Sequence, residues 1–105
     1  MISVKEKENN AADLHLEGDL TICAADKFYQ EMESLLKTYR RLDIDMSDVS
    51  EFDTSCYQVL LRAKLMSMKS NKELNIGSLS DQTQQVFDMY NLNQVFNHSD
   101  QKNSH

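Results

Sequence analysis

Four short stretches of this chain alternate apolar and polar side chains residue by residue, and each therefore has one apolar face and one polar face. Ile2 and Val4 alternate with Ser3 and Lys5, and Leu14 and Leu16 with His15 and Glu17. Leu42, Ile44 and Met46 alternate with Asp43 and Asp45, and Leu74 and Ile76 with Asn75 and Gly77. A period of two is the signature of a half-buried strand. A parallel sheet covered by helices on both sides reads instead as unbroken apolar runs, so two-faced strands confine the helices to one side. Right-handed crossovers keep successive helices on that common side when the strand order advances in one direction. The other face, carrying His15, Glu17, Asp43 and Asp45, is left to solvent or to a partner.

Between the strands the period changes to that of a helix. Ile22, Ala25, Phe28, Met32, Leu35, Leu36 and Tyr39 predict one amphipathic helix of about five turns from Thr21 to Tyr39. Tyr57, Leu60, Leu61, Leu65 and Met68 predict a second, and Ser80-Asp81 opens a third with Val86, Phe87 and Tyr90 on its apolar face. The first two strands flank a polar stretch with Asn9-Asn10 and read as an antiparallel pair. Leu92, Val95 and Phe96 close the domain as a short strand or turn, while residues 97–105 lack any apolar side chain and are expected to be a disordered tail. The fold class is α/β: a mixed sheet of four to five strands with helices mainly on one face, in a single domain over residues 1–96.

Composition narrows the function. With 105 residues the chain holds one core but little room for an enclosed active site between lobes, which favours a binding or switching module. A formal charge of −6 argues against nucleic acid, whose binders need a basic stripe, and Arg40-Arg41 is the one adjacent basic pair. Met1-Ile2-Ser3-Val4-Lys5 runs into charge with no apolar core of a signal peptide behind it, and no segment is long enough to span a bilayer. Cys23 and Cys56 then read as thiols in a reducing cytoplasm. Gly18 and Gly77 are too few for a phosphate-cradling loop, and His15, His98 and His105 show no ligand spacing with the cysteines. Neither an enzyme nor a cofactor or metal is expected. Met66 and Met68 fit either core filling or an adaptable contact surface, core filling being the commoner use of such spacing.

The functional signal lies in Asp45-Met46-Ser47-Asp48-Val49-Ser50-Glu51-Phe52-Asp53-Thr54-Ser55-Cys56, where a strand runs into an acidic loop and then into hydroxyl residues opening a helix. A helix start offers unpaired N–H groups and a positive dipole end, which stabilise a phosphate. Capping is the plain alternative, because Asp, Thr and Ser are preferred caps and Ser55-Cys56-Tyr57-Gln58 fits the capping-box pattern. Three candidate caps in a row, Asp53, Thr54 and Ser55, exceed what one helix start needs. Asp45, Asp48, Glu51 and Asp53 resemble paired catalytic acids less than a solvated acidic run. Cys56 at the same helix start reads as a reactive low-pKa thiol or, more commonly, as a small packing residue.

The element order, with Gly18-Asp19 before the first long helix and Asp45-Met46-Ser47-Asp48-Val49 to Phe52-Asp53-Thr54-Ser55 before the second, resembles the STAS family, the sulfate transporter and anti-sigma-factor antagonist domains. The resemblance spans residues 1–96 and is sharpest at Asp53-Thr54. It implies the STAS fold and a partner-switching regulator: an antagonist that binds a kinase acting as anti-sigma factor and lets go once phosphorylated. Carried over, Thr54 matches the phosphoacceptor, with Ser55 as second choice, Asp53 its flanking acid, and Gly18-Asp19 the adjacent loop. Thr54 stands where the family usually has Ser, and Cys56 where it has Gly. The implied docking edge comprises Asp19, Asp48, Glu51, Asp53, Thr54 and Ser55. STAS domains also serve as accessory subunits of bacterial lipid-transport ABC ATPases, and Met89-Tyr90-Asn91-Leu92 resembles a segment of that subunit.

Overall fold

A computed structural model describes residues 2–90 and 97–98. Strands β1 (Ile2–Lys7) and β2 (Ala11–Leu20) form an antiparallel hairpin, with Ile2 opposite Leu16 and Lys7 opposite Ala11. The turn places Asn9 and Asn10 at φ 66° and 62°, left-handed positions that asparagine tolerates. The chain continues through α1 (Ala25–Thr38), β3 (Arg41–Phe52), α2 (Thr54–Lys69), β4 (Glu73–Leu79), α3 (Asp81–Tyr90) and β5 (Asn97–His98). All pairings after the hairpin are parallel, and the strand order is β1-β2-β3-β4-β5. Each helix thus links neighbouring strands with the order advancing one way, which puts all three on the same face.

That face is the core. Leu14, Leu16, Leu42, Ile44, Met46, Leu74 and Ile76 are buried beneath Phe28, Met32 and Leu36 of α1, Tyr57, Leu60 and Ala63 of α2, and Phe87 of α3. The Arg62 guanidinium lies 4.6 Å over the Tyr29 ring, tying α2 to α1. The opposite face is polar and ionic. Lys7 bridges Asp13 and Asp43 at 2.8 Å each, and Asn75 donates to Asp43. Burial works to raise the Asp43 carboxyl, but the Lys7 and Asn75 hydrogen bonds outweigh it and hold the group below its ordinary range.

Four sequence expectations are corrected. The stretch expected as an acidic loop is strand, because β3 runs on to Phe52 against β2. Between the His15–Asp45 and Glu17–Asp48 pairs β2 advances two residues and β3 three; between Gly18–Val49 and Asp19–Glu51 it is one against two. Each bulge absorbs one extra β3 residue, so the buried side chains Met46, Val49 and Phe52 recur every third position and hide the strand period. Gly18, at φ +85°, supplies the left-handed backbone beside the second bulge.

The first helix begins later than expected. Ile22–Ala24 is a 3₁₀ turn, and Ile22 is 69% exposed, not part of the core stripe. In α2 the buried side is Cys56, Tyr57, Val59, Leu60, Ala63, Lys64 and Ser67, whereas Leu65 and Met68 are 50% and 60% exposed. Small Ala63 and Ser67 permit close approach, and Lys64 Nζ donates to the Leu74 carbonyl at 3.1 Å, so a lysine occupies a place that hydropathy assigns to leucine. Finally, Asn97 and His98, expected to open the tail, pair with Asn75 and Ile76. Leu92, Val95 and Phe96, expected as a closing strand or turn, and residues 99–105 of the expected tail lie outside the described residues.

Candidate functional site at the β3–α2 junction

Two aromatic anchors fix the junction from either side. Phe52, the last residue of β3, stacks on Phe87 at 6.3 Å, and Tyr57, in the first turn of α2, meets the same ring edge-on at 5.1 Å and 90°. Asp53 to Cys56 are therefore strung between two side chains packed on one buried ring.

Asp53 is the cap of α2. Its backbone is extended, and its Oδ1 accepts from the N–H groups of Ser55 at 3.0 Å and Cys56 at 3.4 Å. Its Oδ2 accepts from the N–H of Ile22 at 3.0 Å, and its own N–H donates to the Leu20 carbonyl at 3.2 Å. One carboxylate thus joins the start of α2 to the turn before α1. Ser55 stands inside the helix, so the capping box read from Ser55 and Gln58 is not the cap: the acid two residues upstream satisfies those N–H groups first.

Thr54 is the first residue of α2 and is exposed; Ser55 is half-buried behind it. With Asp53 capping, the Thr54 side chain is not required to end the helix. Asp19 and Glu51 are exposed and face one another across β2 and β3, one pair before Leu20 and Phe52. Asp48 lies farther back on the polar sheet face, where its Oδ2 is 3.0 Å from His15 Nε2. The junction thus brings Asp53, Thr54 and Ser55 together at a sheet end edged by Asp19 and Glu51, while Asp48 joins a second group.

Cys56, at the position where Gly was the expectation, is fully buried and donates through Sγ to the Thr21 carbonyl at 3.4 Å. Burial first, and the neighbouring Asp53 charge second, push its thiol up to about 11, which excludes a low-pKa nucleophile.

Sequence reasoning missed the second group, formed by His15, Glu17, Asp45 and Asp48. His15 Nδ1 is 3.2 Å from Asp45 Oδ2, and His15 Nε2 is 3.9 Å from Glu17 Oε1. A backbone hydrogen bond from Ser47 first, then the Ser47 side chain and after it His15, hold the Asp45 carboxyl below its ordinary value against the burial that would raise it. His15 and Asp45 were both read onto the polar face, but their pairing is a register fact that no local spacing carries.

Comparison with known proteins places this geometry. The family model described as "Mlab, STAS domain" matches residues 3–97. No curated protein sequence matches the chain. Among solved structures, a putative anti-sigma factor antagonist from Thermotoga maritima superposes with a TM-score of 0.82 at 18% identity, over 92% of this chain and 84% of that one. The anti-sigma factor antagonist SpoIIAA in its unphosphorylated form gives 0.78 at 12% identity, over 94% and 88%. The same Bacillus protein in its phosphorylated form gives 0.72 at 12% identity, over 94% and 91%. The STAS domain of a SulP transporter from Vibrio cholerae gives 0.65 at 20% identity, over 89% and 75%. At these identities the likeness is one of fold.

Proposed function

The chain belongs to the STAS domain family, and from that premise we propose that it is a non-enzymatic partner-switching regulator of the anti-sigma-factor-antagonist kind. Unmodified, it binds a serine/threonine kinase that doubles as an anti-sigma factor; phosphorylation at Thr54 releases it. The observation that carries this reading is an exposed Thr54 at the first position of a sixteen-residue helix whose cap is already supplied by Asp53. Among the fold neighbours, SpoIIAA has been solved in both phosphorylated and unphosphorylated forms, which supports a switch of this type.

The physics of the switch follows from the junction. A phosphate adds about −1.5 to −2 charge, and the helix N-terminus stabilises it by on the order of 1 kcal/mol, so the domain stays folded. A partner packed on the edge formed by Asp19, Glu51, Asp53, Thr54 and Ser55, with Asp48 farther back on the sheet face, meets that charge among existing carboxylates. Desolvating it without new cations costs several kcal/mol, roughly enough to undo a regulatory complex. Binding is lost while the fold remains.

A second reading, drawn from the resemblance at Met89-Tyr90-Asn91-Leu92, is an accessory subunit of a lipid-transport ABC ATPase with Thr54 in the ATPase contact. Met89, exposed near the end of α3, and Tyr90, its last residue, are the described part of the segment that resembles such a subunit. Among the described residues no helix is long and apolar enough to cross a membrane. Co-purification from the native cell, with the bound protein identified, separates the two. A kinase that labels Thr54 with ATP, read by mass spectrometry, supports the switch; an ABC ATPase with no labelling replaces it by the second reading.

A further inference from the structure

On the polar sheet face, apart from the helix start, one imidazole and two carboxylates converge from neighbouring strands. His15 and Glu17 are two residues apart on β2 and share that face, and Asp48 is the β3 partner of Glu17. Their ligating atoms, one nitrogen and two oxygens, all lie within 4.8 Å of one another, with His15 Nε2 3.0 Å from Asp48 Oδ2 and 3.9 Å from Glu17 Oε1. Donors bound at about 2.0–2.2 Å to one ion sit roughly 3–4 Å apart, so these atoms need little movement to share a cation.

The surroundings prepare the imidazole for that role. Asp45 Oδ2 lies 3.2 Å from His15 Nδ1, and the Ser47 N–H holds Asp45 in turn through Oδ1 at 2.9 Å. A carboxylate accepting from Nδ1–H fixes the tautomer that offers the Nε2 lone pair, here towards Asp48 and Glu17. The β3 bulge is the reason Asp48 is present: the extra residue after Asp45 turns Asp48 outward beside Glu17, where strict alternation would turn it into the core. Charge points the same way. At the other end of this face Asp13 and Asp43 are met by Lys7 and Arg41, whereas here three carboxylates surround one imidazole.

We infer that His15, Glu17 and Asp48 form a binding site for a first-row divalent metal ion, with Asp45 orienting the histidine. The mixed nitrogen and oxygen donors suit zinc or manganese, and three protein ligands leave coordination positions open. Asp48 is shared with the expected docking edge, but metal binding at this site does not require the proposed partner switch.

Zinc titration of the full chain by calorimetry, in a buffer that does not chelate, tests it. One ion per chain is expected, with binding at least tenfold weaker in His15→Ala and in Asp48→Asn, and about 10–100-fold weaker in Asp45→Asn. Cys23→Ser is the control for the exposed thiol and should bind as the parent does. Manganese added to the unaltered protein provides a reading that needs no variant: broadening in the ¹H–¹⁵N spectrum centred on residues 15–18 and 45–49. Absence of a stoichiometric site, affinity unchanged in His15→Ala, affinity lost in Cys23→Ser, or broadening centred elsewhere would each overturn the assignment.

Discussion

The Asp53 carboxylate accepts the backbone N–H of Ile22 at 3.0 Å while its other oxygen caps α2, so the start of the second helix and the approach to the first are tied through one side chain. Residues thirty-one apart in sequence are fixed relative to one another at the proposed partner edge. A disturbance at Asp53 therefore reaches both.

Replacing Asp53 by Ala should destabilise the domain by about 1–3 kcal/mol, since it removes a cap and the acceptor of a third N–H. Urea unfolding measures this. Asp53→Asn keeps one carbonyl acceptor and should lose less; equal stability of all three proteins would mean that the cap contributes nothing.

Thr54→Ala should change stability by no more than about 0.5 kcal/mol, because Thr54 is exposed and is not the cap. That makes it a clean functional probe. Thr54→Glu should leave the melting temperature nearly unchanged and weaken the partner at least tenfold, about 1.4 kcal/mol. Calorimetry with the identified partner reads both. Undiminished affinity would put the partner elsewhere, and a large fall in melting temperature would make Thr54 structural.

Acid stability should depend on Asp43. Its carboxyl is held below its ordinary 3.8, so its contribution is complete above about pH 4 and is lost as pH falls through the lower folded-state value. Unfolding free energies at pH 5 and pH 3 should differ less in Asp43→Asn than in the parent. The same difference in both would show that Lys7 and Asn75 do not favour the charged form.

The two thiols should react differently. Cys23 is exposed and should be alkylated by iodoacetamide at neutral pH, while Cys56, buried and pushed up to about 11, should be modified only after unfolding. Peptide mass spectrometry before and after denaturant distinguishes them; rapid native labelling of Cys56 would contradict its burial.

What the sequence disclosed, and what it withheld, follows from the range of each signal. Alternation in Leu14-His15-Leu16 or Leu42-Asp43-Ile44 is local and reports a face directly, so the one-sided sheet was legible. The second half of β3 was not, because two bulges turn its period from two to three at Met46, Val49 and Phe52. The α2 face was misread at Leu65 and Met68, since close packing there selects Ala63 and Ser67 and a lysine that reaches a carbonyl. The helix start was legible within one residue, but which of Asp53, Thr54 and Ser55 caps it depends on backbone orientation. The meeting of His15 with Asp48 depends on strand register and was beyond any local pattern.

The spatial order of the strands is also their order along the chain. No strand has to be threaded between two that have already paired, and each new strand with its helix extends an edge already in place. Such a sheet can grow progressively from the amino end, with every loop closed between near neighbours in sequence, so assembly can keep pace with synthesis on the ribosome. The edge awaiting the next strand stays open only as long as one helix takes to emerge, which limits the time during which it can pair with the wrong chain.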